Sequence, residues 1–187
     1  MAPFAGLISS RPWLVAATPI VLAGCATMTG CDDRVSAANA KVKIAGQSFY
    51  LETALDDATR FRGLSERTSI EPNGGMLFVF PDRRDPSMGG FVMRDCPIPI
   101  DILYVDKGGR VVSMFEMVPE APRDPSKGEG APKDPNNIPY NSRLKQYTSR
   151  YPYYFVIELK DGSLEKLNVK EGDMVEFDRE GLLKLAK

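Results

Sequence analysis

The chain has 187 residues, 24 basic and 25 acidic side chains, three cysteines and no histidine. A net charge of −1 argues against nucleic-acid binding through a basic surface. Without histidine there is no Ser-His-Asp or Cys-His catalysis, and three cysteines cannot form a four-cysteine zinc site. We therefore expect no metal, no cofactor and no nucleic-acid partner.

The first 24 residues have the features of an export signal. Arg11 is the only charged side chain before Asp32, and an apolar stretch runs from Trp13 to Cys25. A transmembrane helix needs about 20 apolar residues, so this stretch is too short to span a bilayer and suits a signal peptide.

The stretch ends in Leu22-Ala23-Gly24-Cys25, which resembles the bacterial lipobox. The pattern predicts cleavage after residue 24, lipidation of Cys25 and a membrane anchor that faces the periplasm. Ala26, in place of aspartate, favours the outer membrane if the cell is Gram-negative. An ordinary signal peptide is the alternative.

Residues 25–40 are small and polar and show neither helical nor strand periodicity, which predicts a flexible tether. Cys31 lies in this tether. It is a free thiol or a disulfide partner of Cys96, and the sequence leaves both alternatives open.

Residues 41–187 predict one mostly β domain, a β-sandwich or jelly-roll-like fold with one or two short helices. Strand-like runs recur between turn signals such as Asn73-Gly74-Gly75 and Asp161-Gly162. A short helix is expected from Asp56 to Leu64 because acidic residues open the segment. The predicted strands are 41–45, 48–54, 76–80, 90–94, 100–105, 111–118, 153–159 and 174–177, with one helical turn at 164–167.

Pro119–Thr148 interrupts this pattern with six prolines and no periodicity. Such a segment is expected to lack regular structure. It is either a solvated insertion or a lid over a binding site.

Three motifs appear in a characteristic order: Arg62-Gly63-Leu64, then the run 75–80 (GMLFVF), then the run 91–102 (FVMRDCPIPIDI). Together they resemble the domain of unknown function 192 (DUF192) family over about residues 42–177. Family members usually carry tryptophan, asparagine and threonine where Val92, Asp95 and Cys96 stand here. The resemblance implies a compact β-sandwich or jelly-roll-like fold, often exported or membrane-tethered, with no established activity.

Asp101 is the residue that most suggests a functional site. It lies in the run 100–105, which is apolar at both its odd and its even positions, so both faces of the predicted strand are apolar. An isolated buried carboxylate is costly, so we expect it to pair with Arg62 or Arg94. The group is either a structural ion pair or a pocket for a polar or anionic ligand. Asp101 and Glu116 are also a candidate acid–base pair.

Other residues favour structural roles. Glu52 and Glu158 alternate with apolar neighbours and are interpreted as solvent-facing strand residues. The irregular spacing of the methionines favours the core over a copper site. Cys96 has no histidine to activate it, so a nucleophilic role is not expected.

These features favour a noncatalytic, lipid-anchored envelope protein that binds a small ligand or an envelope partner. The alternatives are a carboxylate-dependent hydrolase of envelope glycans and a purely structural accessory domain.

Overall fold

The computed structural model describes residues 38–131, 134 and 136–187. The predicted signal peptide, Cys25 and Cys31 lie outside these residues. Seven strands form one mixed sheet in the spatial order β5-β4-β6-β3-β2-β1-β7. The strands are β1 Asn39–Ile44, β2 Gln47–Ala54, β3 Gly75–Arg84, β4 Ile100–Val105, β5 Val111–Met117, β6 Tyr153–Lys160 and β7 Val175–Glu176. The helices are α1 Asp57–Arg62, α2 Ile138–Arg143, α3 Ser163–Leu167 and α4 Arg179–Leu185.

The sheet curls until its two ends meet. The Val111 amide donates to the Asp173 carbonyl over 2.9 Å, and the Val175 amide donates to the Gly109 carbonyl over 2.8 Å. Only β2 and β3 pair in parallel, and α1 lies between them in the chain. The prediction of a mostly β, single-domain fold is confirmed. The strands form one curled sheet, whereas a sandwich has two, and the described residues contain four short α-helices instead of one or two.

Both faces of the sheet carry apolar cores. All six residues of β4 are buried, and their side chains alternate between the two faces. One core has members in all seven strands and includes Leu103 and Val105. The other includes Ile102 and Tyr104 and lies beneath the loop before β4. This double burial explains why the run 100–105 has no polar alternation.

The predicted strand 90–94 is wrong. Within it only Phe91 forms an isolated bridge, with Tyr147. A side chain at Gly90 would bring its Cβ within 2.4 Å of the Tyr147 carbonyl oxygen. Glycine at this position therefore allows two loops to approach closely, and it is not part of a strand.

The proline-rich segment 119–148 contains structure that its composition did not predict. Asn137 caps the start of helix α2, where its side chain accepts a hydrogen bond from the Tyr140 amide over 2.9 Å. Pro139 lies in the first turn. Proline has no backbone N–H, and this is tolerated there because the first N–H groups of a helix have no acceptor within the helix. Tyr140, Leu144 and Tyr147 are buried, so this part of the segment packs on the domain.

Among the described residues, no helix has both the length and the apolar character needed to cross a membrane.

Candidate functional site

A cavity of about 840 Å³ opens on the face of the sheet that β3 and β6 share. Its walls are largely aromatic and aliphatic. They are formed by Phe78, Phe80, Phe91, Ile100, Leu144 and Tyr153. Phe91 packs edge-to-face on Phe78 with ring centroids 4.9 Å apart, which fixes the wall. Pockets of this size and lining are typical of small-molecule sites.

Glu158 lies at the bottom of this pocket and is only 5% exposed. It is in the interior strand β6, directly opposite Met76 on β3 and Ile102 on β4. Its Oε2 atom has no hydrogen-bond partner among the described residues. Burial raises the pKa of Glu158 to about 8, so the carboxyl group is largely protonated at neutral pH.

The interpretation of Glu158 as a solvent-facing residue is therefore wrong. Glu52 fits that interpretation, because its half-exposed side chain pairs with Arg67 over 2.6 Å. Both residues alternate with apolar neighbours, but the face of β6 that carries Glu158 is covered by the loop around Met93 and Cys96. The sequence feature that indicates burial of Glu158 is the apolar run 153–157. A run without polar alternation is typical of an interior strand covered on both faces.

Four arginines line the pocket: Arg60, Arg62, Arg84 and Arg94. Arg60 already has partners within the protein. It pairs with Asp57 over 2.7 Å and donates to the Val79 carbonyl oxygen over 2.7 Å. The other three have no carboxylate partner within the described part of the chain. With Asp57 paired and Glu158 neutral, the pocket is strongly cationic.

The short helix α1 places Arg60 and Arg62 at the pocket. Asp56 caps it, accepting a hydrogen bond from the Thr59 amide over 2.9 Å. The chain leaves the helix at Gly63, which has φ of 51° and lies against the Phe78 ring. The motif Arg62-Gly63-Leu64 is thus a helix end that presents an exposed arginine beside an aromatic wall.

Arg94 and Arg84 approach from two other segments. The Arg94 guanidinium stacks on the Phe61 ring at 3.9 Å and donates to the Phe61 carbonyl oxygen. Burial lowers the pKa of Arg94, and the neighbouring Asp95 charge partly opposes this effect. Arg84 lies 5.3 Å from the Phe80 ring centroid, and its buried Nε has no partner in the described chain.

The proline-rich segment supplies one wall of the pocket through Asn141, Leu144 and Gln146. Gln146 also accepts a hydrogen bond from the Gly90 amide over 3.0 Å. Neighbouring backbone bonds join Phe91 and Tyr147 over 2.9 and 3.1 Å. A wholly solvated insertion does not describe this segment, because its end is part of the pocket.

The structure separates the four residues that the sequence analysis grouped. Arg62 and Arg94 both line the pocket, whereas Asp101 and Glu116 do not. Asp101 is fully buried, and its Oδ2 accepts from the Leu164 amide over 2.8 Å, at the start of α3. The predicted ion pair of Asp101 with an arginine is therefore wrong, because the helix amide takes the place of the guanidinium.

Asp101 and Glu116 are directly opposite on β4 and β5, and Glu116 is exposed. Burial, and then the Asp161 and Glu116 charges, raise the pKa of Asp101. A glycosidase needs two carboxyl groups on either side of its substrate. Fully buried Asp101 offers no such access, so this pair does not support the hydrolase alternative.

Cys96 is a buried free thiol beside the pocket. Burial raises its pKa to about 11, which makes it a poor nucleophile near neutral pH. The described residues contain no group of three or more acidic or cysteine side chains placed to hold a metal ion.

Two solved structures resemble this chain. A "putative transcription regulator" from Sinorhizobium meliloti 1021 has a TM-score of 0.58 and 25% identity, over 78% of this chain and 98% of that one. A protein of unknown function from Novosphingobium aromaticivorans DSM 12444 has a TM-score of 0.52 and 23% identity, over 74% and 83% of the chains. No curated protein matches significantly.

The DUF192 family model, described as an uncharacterized ACR, matches residues 40–177. Apart from Asn39, the first residue of β1, the match covers all the strands of the sheet, and it includes all the pocket arginines. The chain belongs to the DUF192 family.

Proposed function

We propose that the mature chain is a noncatalytic binding module of the cell envelope, anchored by a lipid on Cys25, whose pocket takes a small anionic ligand. The observation that carries this function is a mostly apolar pocket of about 840 Å³ with three arginines that have no carboxylate partner in the described chain. Guanidinium groups in partly buried sites bind carboxylates and phosphates well.

The pocket offers binding groups without a catalytic constellation. Cys96 is held as a thiol, and Glu158 is the only carboxyl group of the lining besides paired Asp57. An acid–base mechanism on a glycan needs a second free carboxyl group at this site. We therefore favour binding over hydrolysis.

The envelope location is supported by the sequence Leu22-Ala23-Gly24-Cys25 and the short apolar stretch before it. In a Gram-negative cell Ala26 favours the outer membrane. The name of the Sinorhizobium structure raises gene regulation as a role for that protein. The net charge of −1 here gives no support to nucleic-acid binding.

Isothermal titration calorimetry tests the binding function. The protein is the mature chain, residues 25–187, with Cys25→Ser to leave out the lipid. The probes are inorganic phosphate, benzoate and octanoate, and octanol is the uncharged control. We expect at least one anion to bind and octanol to bind far more weakly.

Arginine variants locate the site. Arg62→Gln and Arg94→Gln should each weaken anion binding by about tenfold, the effect of removing one charged hydrogen-bond donor. Arg150→Gln is the matched control, because Arg150 is exposed, pairs with Glu171 and lies outside the pocket. If no anion binds, or if all three variants bind like the parent, the proposed function is wrong.

A further inference from the structure

The carboxyl group of Glu158 is the polar feature of the pocket that the arginines do not explain. It lies on the floor of the pocket between Met76 and Ile102, with a buried Oε2 that has no partner among the described residues. Desolvation is the sole cause of its raised pKa, so no neighbouring charge compensates it. A buried polar group without a partner has lost its hydration without a hydrogen bond in return. A ligand that supplies the partner recovers part of this loss.

Two protonated neighbours of Glu158 already donate to backbone carbonyls: Cys96 Sγ to Ile98 and the Tyr104 hydroxyl to Tyr147. Cys96 from the covering loop and Tyr104 from β4 both interact electrostatically with Glu158. Burial raises the pKa of Cys96 to about 11 and raises that of Tyr104, so both stay protonated near neutral pH. Burial also raises the pKa of Tyr153, which lies with Glu158 on β6.

The arginines that line the same pocket keep their charge at any pH at which the protein is folded. They come from α1, from the end of β3 and from the loop before β4. Between pH 6.5 and 9.5, Glu158 is therefore the group of the pocket that changes charge.

The pocket thus contains three kinds of group: arginines, aromatic side chains and a protonated carboxyl group. Exposed Arg62 lies at the opening beside Phe61 and Met88, which are 48% and 59% exposed. Aromatic walls follow, and the protonated carboxyl group lies at the bottom.

We propose that the ligand is an amphipathic anion, with its charge at the arginines, an apolar body along the aromatic walls, and an uncharged hydrogen-bond acceptor that receives the proton of Glu158. This inference rests on the proposed anion-binding function and names the class of ligand. An ester or ketone carbonyl is such an acceptor, since it accepts and cannot donate.

The proposal makes acceptor recognition depend on pH. A carbonyl gains from the protonated carboxyl group and is repelled by the carboxylate. Glutamine at this position donates through its amide at any pH. Leucine keeps most of the volume and offers no donor.

The probes are monomethyl esters of straight-chain dicarboxylic acids with six to twelve carbons. Each is compared with the unsubstituted fatty acid of the same chain length. A series is used so that one member spans the distance from the arginines to Glu158. Calorimetry is run at pH 6.5 and pH 9.5, where both kinds of probe are fully ionised.

At pH 6.5 we expect at least one ester to bind about tenfold more tightly than its matched fatty acid. The advantage should disappear at pH 9.5 in the parent chain. Glu158→Gln should keep the advantage at both pH values, and Glu158→Leu should lack it at both. A cooperative melting transition establishes that each variant is folded.

Three results overturn the inference and are distinguishable. If fatty acids and esters bind equally, with affinities that Arg94→Gln lowers, acceptor recognition is wrong and the anion-binding function stands. If neither kind of probe binds, and phosphate and benzoate also fail to bind, both proposals are wrong. An ester advantage that persists at pH 9.5 in the parent chain also refutes the role of the Glu158 proton.

Discussion

Asp95 and Arg123 form a two-point ion pair that ties the loop before β4 to the proline-rich segment. Arg123 Nε lies 2.8 Å from Asp95 Oδ1, and Nη2 lies 2.7 Å from Oδ2. Only 3% of the Arg123 side chain and 14% of the Asp95 side chain are exposed. The guanidinium also stacks on the Tyr140 ring at 3.9 Å. The pair thus links two segments that both contribute to the pocket wall.

Asp95→Ala should lower the free energy of unfolding by about 3 kcal/mol, because it leaves a largely buried guanidinium without its carboxylate. Urea denaturation measures this change. Glu176→Ala is the control, since Glu176 pairs with Lys43 on the surface and should cost less than about 1 kcal/mol. Equal costs for the two variants would show that Asp95 does not anchor the segment.

Glu158→Gln should stabilise the protein increasingly as the pH rises. The pKa of about 8 in the folded chain lies above the ordinary value of 4.5, so folding takes up a proton between these values. The stability of the parent chain therefore falls across this window, by up to about 1.4 kcal/mol per pH unit from this group. The difference between variant and parent should grow from pH 5 to 8 and then level off.

Thermal melting of both chains across pH 5 to 9 checks this prediction. Glu52→Gln is the matched control, because half-exposed Glu52 lies on the surface beside Arg67. A constant difference between Glu158→Gln and the parent would mean that Glu158 is not protonated in the folded protein.

Asp101→Ala should destabilise the protein by about 2 kcal/mol, because it removes the acceptor of the Leu164 amide at the start of α3. Asp101→Asn keeps an acceptor and should cost less. Burial raises the pKa of Asp101 above its ordinary 3.8, so the charged form is penalised and stability is lost as the pH rises above that value. The free energy of unfolding of Asp101→Asn, relative to that of the parent, should therefore be higher at pH 8 than at pH 4.

Urea denaturation at the two pH values measures the Asp101 variants. A free energy of unfolding of Asp101→Ala equal to that of the parent would contradict a capping role.

Cys96 should react slowly with a disulfide reagent at pH 7.5, because it is 6% exposed and its pKa is about 11. Asp95→Ala should speed the reaction at least about tenfold, since it loosens the adjacent loop. The measurement uses a chain with Cys25→Ser and Cys31→Ser, so that one thiol is followed. Rapid reaction in the folded parent would contradict the buried position.

Cys25→Ala should abolish lipidation and lower the membrane-bound fraction, because we propose the Cys25 thiol as the site that carries the acyl chains. Metabolic labelling with a fatty-acid probe measures this effect, and Cys31→Ser is the matched control. Equal labelling of Cys25→Ala and the parent chain would refute the anchor.

Local patterns in the sequence determined most of the sheet. The apolar run 100–105 predicted β4 with its observed bounds, and the turn 106–109 predicted its hairpin with β5. Asp56 predicted the start of α1, and its side chain caps that helix. These features follow from periodicity and turn chemistry, which act over a few residues. Strand-like composition failed at residues 90–94, where a loop contact with Tyr147 decided the backbone.

The candidate site was decided by the tertiary structure. Glu52 and Glu158 both lie in strands and alternate with apolar residues, yet only Glu158 is buried, because a loop and the proline-rich segment cover its face of the sheet. Asp101 obtained its partner from a helix amide 63 residues away, and Asp95 obtained Arg123 from a segment whose composition predicts no structure. Burial and pairing depend on what packs against each face, and a sequence pattern fixes only which side chains share that face.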